Sequence, residues 1–336
     1  MRILLIILIG FMGVSARSQD PVALRSDSIP LSIVCGDTTL LPIIGDTLIT
    51  KKPLVLRFSN NSSTTDSGTV RSHLELSINY QTDDVYNGRK GNRVIPLVTP
   101  GVSYIFKNGF QTDLSVGYDI HDPSPQVNQY TLDVSYNFSP GDGNYTSSLT
   151  ASRFFYSDQS ESTTGDQKGS FEYDNSYDFG FIEPGIYLAW TYGAGKDYGS
   201  TFSLQHEFDF KNGKLNVTPN VSMNAGTQNY YDSYYHHRKY KIKGKDKKPA
   251  YEHVLIYGDV LNAGKFQILD YELTAPINYS FGRLALSMIP TYSMPVNPAD
   301  ILVTTTYKGS IVRTEMKKES LSNTFYLQVG FTYDFK

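Results

Sequence analysis

The chain has 336 residues, a formal net charge of −3 and one cysteine, Cys35. So balanced a charge gives no pull toward nucleic acid, and a single cysteine excludes an intramolecular disulfide framework. Mean hydropathy is −0.32, as in a soluble protein, yet 26 Tyr and 18 Phe are set among many Ser, Thr, Asn and Gly.

Residues 1–18 read as a cleaved export signal: Arg2, an apolar run from Ile3 to Val14, and small residues at Ala16 and Ser18 ahead of Gln19. The run is well short of the roughly 20 apolar residues a helical span needs. Cys35 lies too far from that cleavage point to carry a lipid. Residues 19–70 are expected to form a periplasmic extension and linker, with LSIVCGDTTLLPIIGDTLI followed by the polar SNNSSTTDSG. A plug inside a barrel lumen is the alternative for this stretch.

From residue 71 to 336 the chain alternates apolar and polar residues with period two, segment after segment. In SHLELSINY, Leu74, Leu76, Ile78 and Tyr80 alternate with Glu75, Ser77 and Asn79. FQTDLSVGYDI places Leu114, Val116 and Tyr118 opposite Asp113, Ser115 and Asp119, and YTLDVSYNF sets Leu132, Val134 and Tyr136 against Asp133, Ser135 and Asn137. TFSLQHEFDF, KLNVTPNVSMNA and ILDYELTAPINYSF repeat the pattern in the second half. The polar face is mostly Ser, Thr, Asn, Asp and Gly, whereas the outer face of a soluble sandwich would be richer in Lys and Glu. The pattern predicts an all-β fold: one transmembrane antiparallel up-and-down barrel of about twelve strands, apolar toward lipid and polar toward the lumen.

IFKNGFQ at 105–111 and DFKNGKL at 209–215 both predict tight type I′ turns at Asn-Gly, which belong on the periplasmic side. SPGDGN after Ser139, EPG at 183–185 and the link at Gly282 and Arg283 are further expected periplasmic turns. Outer loops then fall near 82–93, 121–126, 157–170, 194–199, 226–265 and 295–320. If Pro184 lay inside a strand instead of a turn, the strand count would drop and residues 226–265 would become periplasmic.

The last strand, FYLQVGFTYDFK, carries Gln328, Gly330, Tyr333 and Phe335. This run resembles the C-terminal recognition pattern of bacterial outer-membrane barrels, departing from it only in that Lys336 follows the terminal aromatic. The resemblance implies capture of this strand by the barrel-assembly machinery through β-augmentation. Strings such as YQTDDVYNGRKG at 80–91, LNVTPNVSMNAGTQNYY at 215–231 and PTYSMPVNPA at 290–299 resemble outer-membrane barrels of Bacteroidetes-type bacteria. That resemblance implies outer-membrane lipid and lipopolysaccharide as surroundings and carries no reaction or solute.

No cofactor or catalytic group is indicated. His206 shares parity with Leu204 and Phe208 and has no nucleophile two positions on, so it reads as an interfacial histidine. His236 and His237 are adjacent and on a strand would point to opposite faces, which suits no shared metal. The loop NYYDSYYHHRKYKIKGKDKK places Arg238, Lys239, Lys241, Lys243 and Lys245 among tyrosines. It reads as a solvated outer loop, with phosphate or glycan binding and tyrosine–sugar stacking as the sharper alternative. Asp113, Asp133, Glu207, Asp209, Asp270 and Glu272 have inward parity, against Lys214 and, less firmly, Arg153. An acidic lumen of this kind favours cations and neutral polar solutes. Two functions follow: a passive channel for such solutes, or a closed barrel whose outer loops bind lipopolysaccharide, glycan or protein.

Overall fold

The computed structural model describes residues 71–91, 94–120, 126–139, 144–158, 160, 162–237, 254–307 and 310–335. The expected signal at 1–18, the extension at 19–70, Arg238, Lys239, Lys241, Lys243, Lys245 and Lys336 lie outside the described residues. In chain order the first elements are β1 (His73–Gln81), β2 (Val85–Tyr86), β3 (Arg89–Lys90), β4 (Leu97–Ile105), β5 (Phe110–Asp119), β6 (Gln126–Phe138) and β7 (Tyr145–Tyr156). β8 (Gln167–Tyr177), β9 (Glu183–Gly193), β10 (Lys196–Gln205), β11 (Phe208–Phe210), β12 (Leu215–Val217) and β13 (Asn220–Gly226) lead to a helix, α1 (Asn229–His237). After it come β14 (Val254–Val260), β15 (Gln267–Thr274), β16 (Ile277–Phe281), β17 (Leu284–Pro295), β18 (Asp300–Tyr307), β19 (Ser310–Lys318) and β20 (Thr324–Phe335).

Twelve of these strands close an antiparallel barrel: β1, β4 through β10, β13, β15, β17 and β20, with β20 paired to both β17 and β1. The first and last strands meet from Leu74 opposite Phe335 to Gln81 opposite Gln328. β11, β12 and β16 prolong β10, β13 and β15 beyond short breaks. Two of the breaks fall at Pro219 and Pro276, which have no N–H to give to a ladder. Closure leaves no sheet edge, which is the condition for a β-structure to stand in lipid.

The alternation read from sequence is the alternation of the wall. On β1, Leu76 and Ile78 are 44% and 49% exposed on the outer surface, while Glu75, Asn79 and Gln81 at the alternate positions are buried toward the lumen. Outward Phe171 and Trp190 stack on neighbouring strands, and outward Phe110 lies against Tyr136. An apolar, aromatic-rich exterior around a hydrogen-bonded polar interior matches the two-faced staves of a membrane barrel.

One end of the barrel carries the start of β1, the end of β20 and the short connections at 106–109, 139–144, 178–182, 211–214 and 282–283. The long connections 82–96, 120–125, 157–166, 227–266 and 296–323 all leave the other end, as does the two-residue link Ala194–Gly195. Bacterial barrels keep their short turns in the periplasm, so the long-loop end faces outward.

Three turn expectations are corrected. The EPG hairpin does not form: Pro184 sits inside β9 opposite Leu204, and the chain reverses at 178–182, where Phe179 N–H donates to Ile182 O and Gly180 has a φ of +84°. The strand count holds because that turn lies just upstream of the proline. At 106–109 only Gly109 takes positive φ (+86°), and Phe106 O accepts from its N–H, so the turn is not type I′. At 211–213 three successive residues, Lys211, Asn212 and Gly213, take positive φ. A further Asn-Gly pair, Asn87 and Gly88 with φ of 52° and 70°, forms the two-residue turn between β2 and β3.

A buried apolar cluster lies outside the barrel wall, in the outer loops. β14, β18 and β19 form a three-stranded antiparallel sheet. Tyr230, Tyr231, Tyr234 and Tyr235 of α1 pack with Val260, Ile301 and Val303 of that sheet. Up to residue 237 this corrects both the expected solvated loop and the alternative of sugar-stacking tyrosines: these four side chains are only 2–3% exposed. Their spacing, i, i+1, i+4 and i+5, is one face of a helix.

Candidate functional site

The lumen is lined by the inward face of all twelve strands, and its charge is one-sided. Asp113 and Asp133 are cross-strand partners on β5 and β6. Asp270 and Glu272 on β15 lie opposite Asn224 and Ser222 of β13, and Ser293 Oγ donates to Asp270 Oδ2 at 2.8 Å. Glu207 and Asp209 sit near the periplasmic mouth, where the Asn216 amide donates to Glu207 Oε1 at 2.8 Å and also to Asp209. Lys214 does not join them: it is exposed in the 211–214 turn, with its carbonyl accepting from Ser280 N–H. Arg153 faces outward, 5.4 Å from the centre of the Phe155 ring, because its register partners are Leu132 and Gly169.

Glu172 and Asp197 also point inward, although neither stood out in the sequence. Glu172 lies in the uninterrupted polar-aromatic string FEYDNSY, and Asp197 in GAGKDYG, which reads as a loop. Parity with Ser170 and Thr201 is the signal that could have found them. Among the described residues, no Lys or Arg occupies an inward position of a barrel strand.

The outer mouth is crossed by the β2–β3 hairpin. Its tip reaches the β15–β17 wall: a Cβ on Gly88 would stand 2.8 Å from Pro295 Cβ and 3.1 Å from Asp270 Cβ. Its Tyr86 side chain borders the cavity against the opposite wall, with Gln167 and Thr191, and meets Tyr230 of α1 edge to face at 4.7 Å. Arg89 is wholly buried and fixes the hairpin, donating to the carbonyls of Asn87 (3.0 Å), Leu269 (3.1 Å), Val296 (3.2 Å) and Asn297 (3.1 Å). Its Nε lies 3.6 Å from Glu319, which in turn accepts from Ala299 N–H at 2.9 Å. A buried guanidinium without such partners would be strongly destabilising, so the hairpin is held where all of them are available.

The base of the hairpin is acidic. Asp83 Oδ1 accepts from Ile95 N–H at 3.0 Å. Asp84 is half-buried, its Oδ2 shielded from solvent, and desolvation pushes its carboxyl up to about 6, against the pull of the Ser162 hydroxyl. A cavity of about 60 Å³ remains between the hairpin and the wall, bordered by Asp84, Tyr86, Glu172, Tyr187, Thr191 and Asp197. It is large enough for a few water molecules and too small for a sugar ring.

Asp197 also ties α1 to the barrel. Its Oδ1 accepts from Asn229 N–H at 2.8 Å and its Oδ2 from Tyr230 N–H at 2.9 Å, satisfying free donors at the helix N-terminus. His236 and His237 lie at the other end of α1, each with its own carboxylate, Asp259 at 2.9 Å and Asp166 at 3.2 Å. His206 packs edge to face on Phe208 at 4.5 Å.

The C-terminal residues occupy the closing seam. Gln328 donates to Gln81 Oε1 at 2.9 Å, Gly330 lies between Asn79 and Ser287, and Tyr333 and Phe335 face outward with their rings 4.7 Å apart.

A closed twelve-stranded barrel with an apolar exterior, a polar lumen and asymmetric connections is an outer-membrane β-barrel. Among solved structures the fold is similar to the KdgM porin (TM-score 0.39, 11% identity, covering 78% of this chain and 99% of that one). It is likewise similar to the NanC porin (0.40, 11%, 77% and 98%) and to an outer-membrane channel from Pseudomonas putida F1 (0.40, 12%, 79% and 96%). No protein-family model and no curated protein sequence matches the chain.

Proposed function

We propose that this barrel is a passive channel for small cationic or neutral polar solutes, constricted at its outer mouth by the β2–β3 hairpin. The observation that carries the reading is the charge of the barrel wall: inward Asp and Glu on many strands, with no inward Lys or Arg on a barrel strand among the described residues. Carboxylates in a low-dielectric wall attract cations and repel anions over the whole length of a narrow pore.

The hairpin sets how much current passes. Replacing Gly88 with valine adds a β-branched side chain at a φ of +70° and against Pro295, so the tip can no longer dock. In planar bilayers, folded wild-type protein should give small steps and Gly88→Val larger or longer ones. Absence of current from both variants, with the barrel intact, would remove the channel reading. It would leave the surface-binding alternative, which the exposed apolar residues Leu255, Ile311, Val312 and Met316 of the outer sheet favour.

A further inference from the structure

We propose that His73, Glu75 and Asp334 form a divalent metal site, suited to zinc, that ties the first barrel strand to the last at the periplasmic end. His73 and Glu75 are two residues apart on β1 and so share the inward face, and Glu75 is the direct register partner of Asp334 on β20. One ligand atom from each residue lies within 4.8 Å of the other two. His73 Nε2 is 3.3 Å from Glu75 Oε1 and 4.0 Å from Asp334 Oδ1. Two ligands bound at about 2.1 Å to one tetrahedral ion stand roughly 3.4 Å apart, so small side-chain rotations bring all three onto a common ion.

The orientation of the imidazole is the independent observation. His73 Nδ1 lies 3.2 Å from the Arg71 carbonyl, which can only accept, so Nδ1 carries the proton. In the neutral ring Nε2 then presents a lone pair to two carboxylates, an arrangement that repels unless a cation sits between them. A backbone carbonyl holding one ring nitrogen while the other faces carboxylates is the usual support of a metal-bound histidine. Both carboxylates are buried, and together they balance the charge of a divalent ion. One imidazole and two carboxylates suit zinc with a water in the fourth position, whereas calcium calls for six or more oxygens. The alternative filling of the same space is a proton, giving an imidazolium held by the two acids.

The test is calorimetric titration of the folded, chelator-treated full-length barrel with ZnCl2 at neutral pH, alongside His73→Gln and Asp334→Asn. The proposal predicts one zinc per chain, affinity reduced at least about tenfold in each variant, and a zinc-dependent rise in the unfolding midpoint that His73→Gln abolishes. A His236→Gln/His237→Gln variant should keep wild-type affinity. Heat-modifiable migration on gels reports folding of each variant. Should Asp334→Asn not fold, the cobalt absorption spectrum of wild type against His73→Gln decides, since a bound imidazole gives a spectrum the variant lacks. No zinc uptake by folded wild type, or unchanged uptake by His73→Gln, would overturn the proposal.

Discussion

Asp84 shows how a single desolvated carboxylate can set the behaviour of the mouth. Burial raises its pKa from 3.8 to about 6, the Ser162 hydroxyl offsets part of that rise, and the negative charges of Asp83 and Asp119 add to it. Asp83 is itself raised by desolvation, against the pull of Lys90. A carboxyl whose pKa is higher in the docked hairpin than in a free one favours docking when protonated. Docking is therefore strongest below about pH 4 and weakens as pH rises through 6, by about 3 kcal/mol for a shift of this size. Single-channel current should accordingly grow between pH 4 and 7 in wild type, and Asp84→Asn should flatten most of that dependence. An unchanged profile in Asp84→Asn would show that the titration lies elsewhere. At this scale the sequence was partly legible. The Asn-Gly pair at 87 and 88 is an open hairpin signal, whereas the burial of Asp84 and Arg89 depends on walls far away in the chain and leaves no local trace.

The strands and the helix differ in how openly the sequence announces them. Period-two alternation marks the staves because each must satisfy lipid on one side and water on the other; β1 and β5 follow it throughout, β6 from Gln129 onward and β20 from Gly330 onward. Proline was the misleading residue: Pro184 suggested a turn but stands in β9, while Pro219 and Pro276 interrupt their staves. Helix α1 was hidden by composition, since Tyr, His and Asp are poor helix formers and basic residues follow them. Only the i, i+1, i+4, i+5 tyrosine spacing pointed to it. Tyr231 packs on Tyr234 and Tyr235 and lies beneath Arg89, so Tyr231→Ala should cost the outer cap about 3–5 kcal/mol. Hydrogen exchange in residues 229–237 and 254–260 should then rise sharply while the barrel strands stay protected. Equal loosening of barrel and cap would contradict the separation of the two.

At the scale of the whole molecule, low mean hydropathy and a heavy aromatic load are reconciled by closure: one face of every stave meets lipid and the other meets water. Fold class, strand number and the inward positions of Asp113, Asp133, Asp270 and Glu272 follow from parity, because the register is locked wherever one face is apolar, whereas Asp209 is exposed in the extension beyond the barrel. The constriction could not be read that way. It arises from an outer loop folding back across the lumen, and its contacts join residues as distant in sequence as Arg89 and Asn297. If this acidic interior conducts cations, the purified barrel under a tenfold KCl gradient should show a cation-selective reversal potential of tens of millivolts that falls toward zero in Asp113→Asn/Asp133→Asn/Glu172→Gln; an anion-selective potential, or one the triple substitution leaves unmoved, would rule that path out.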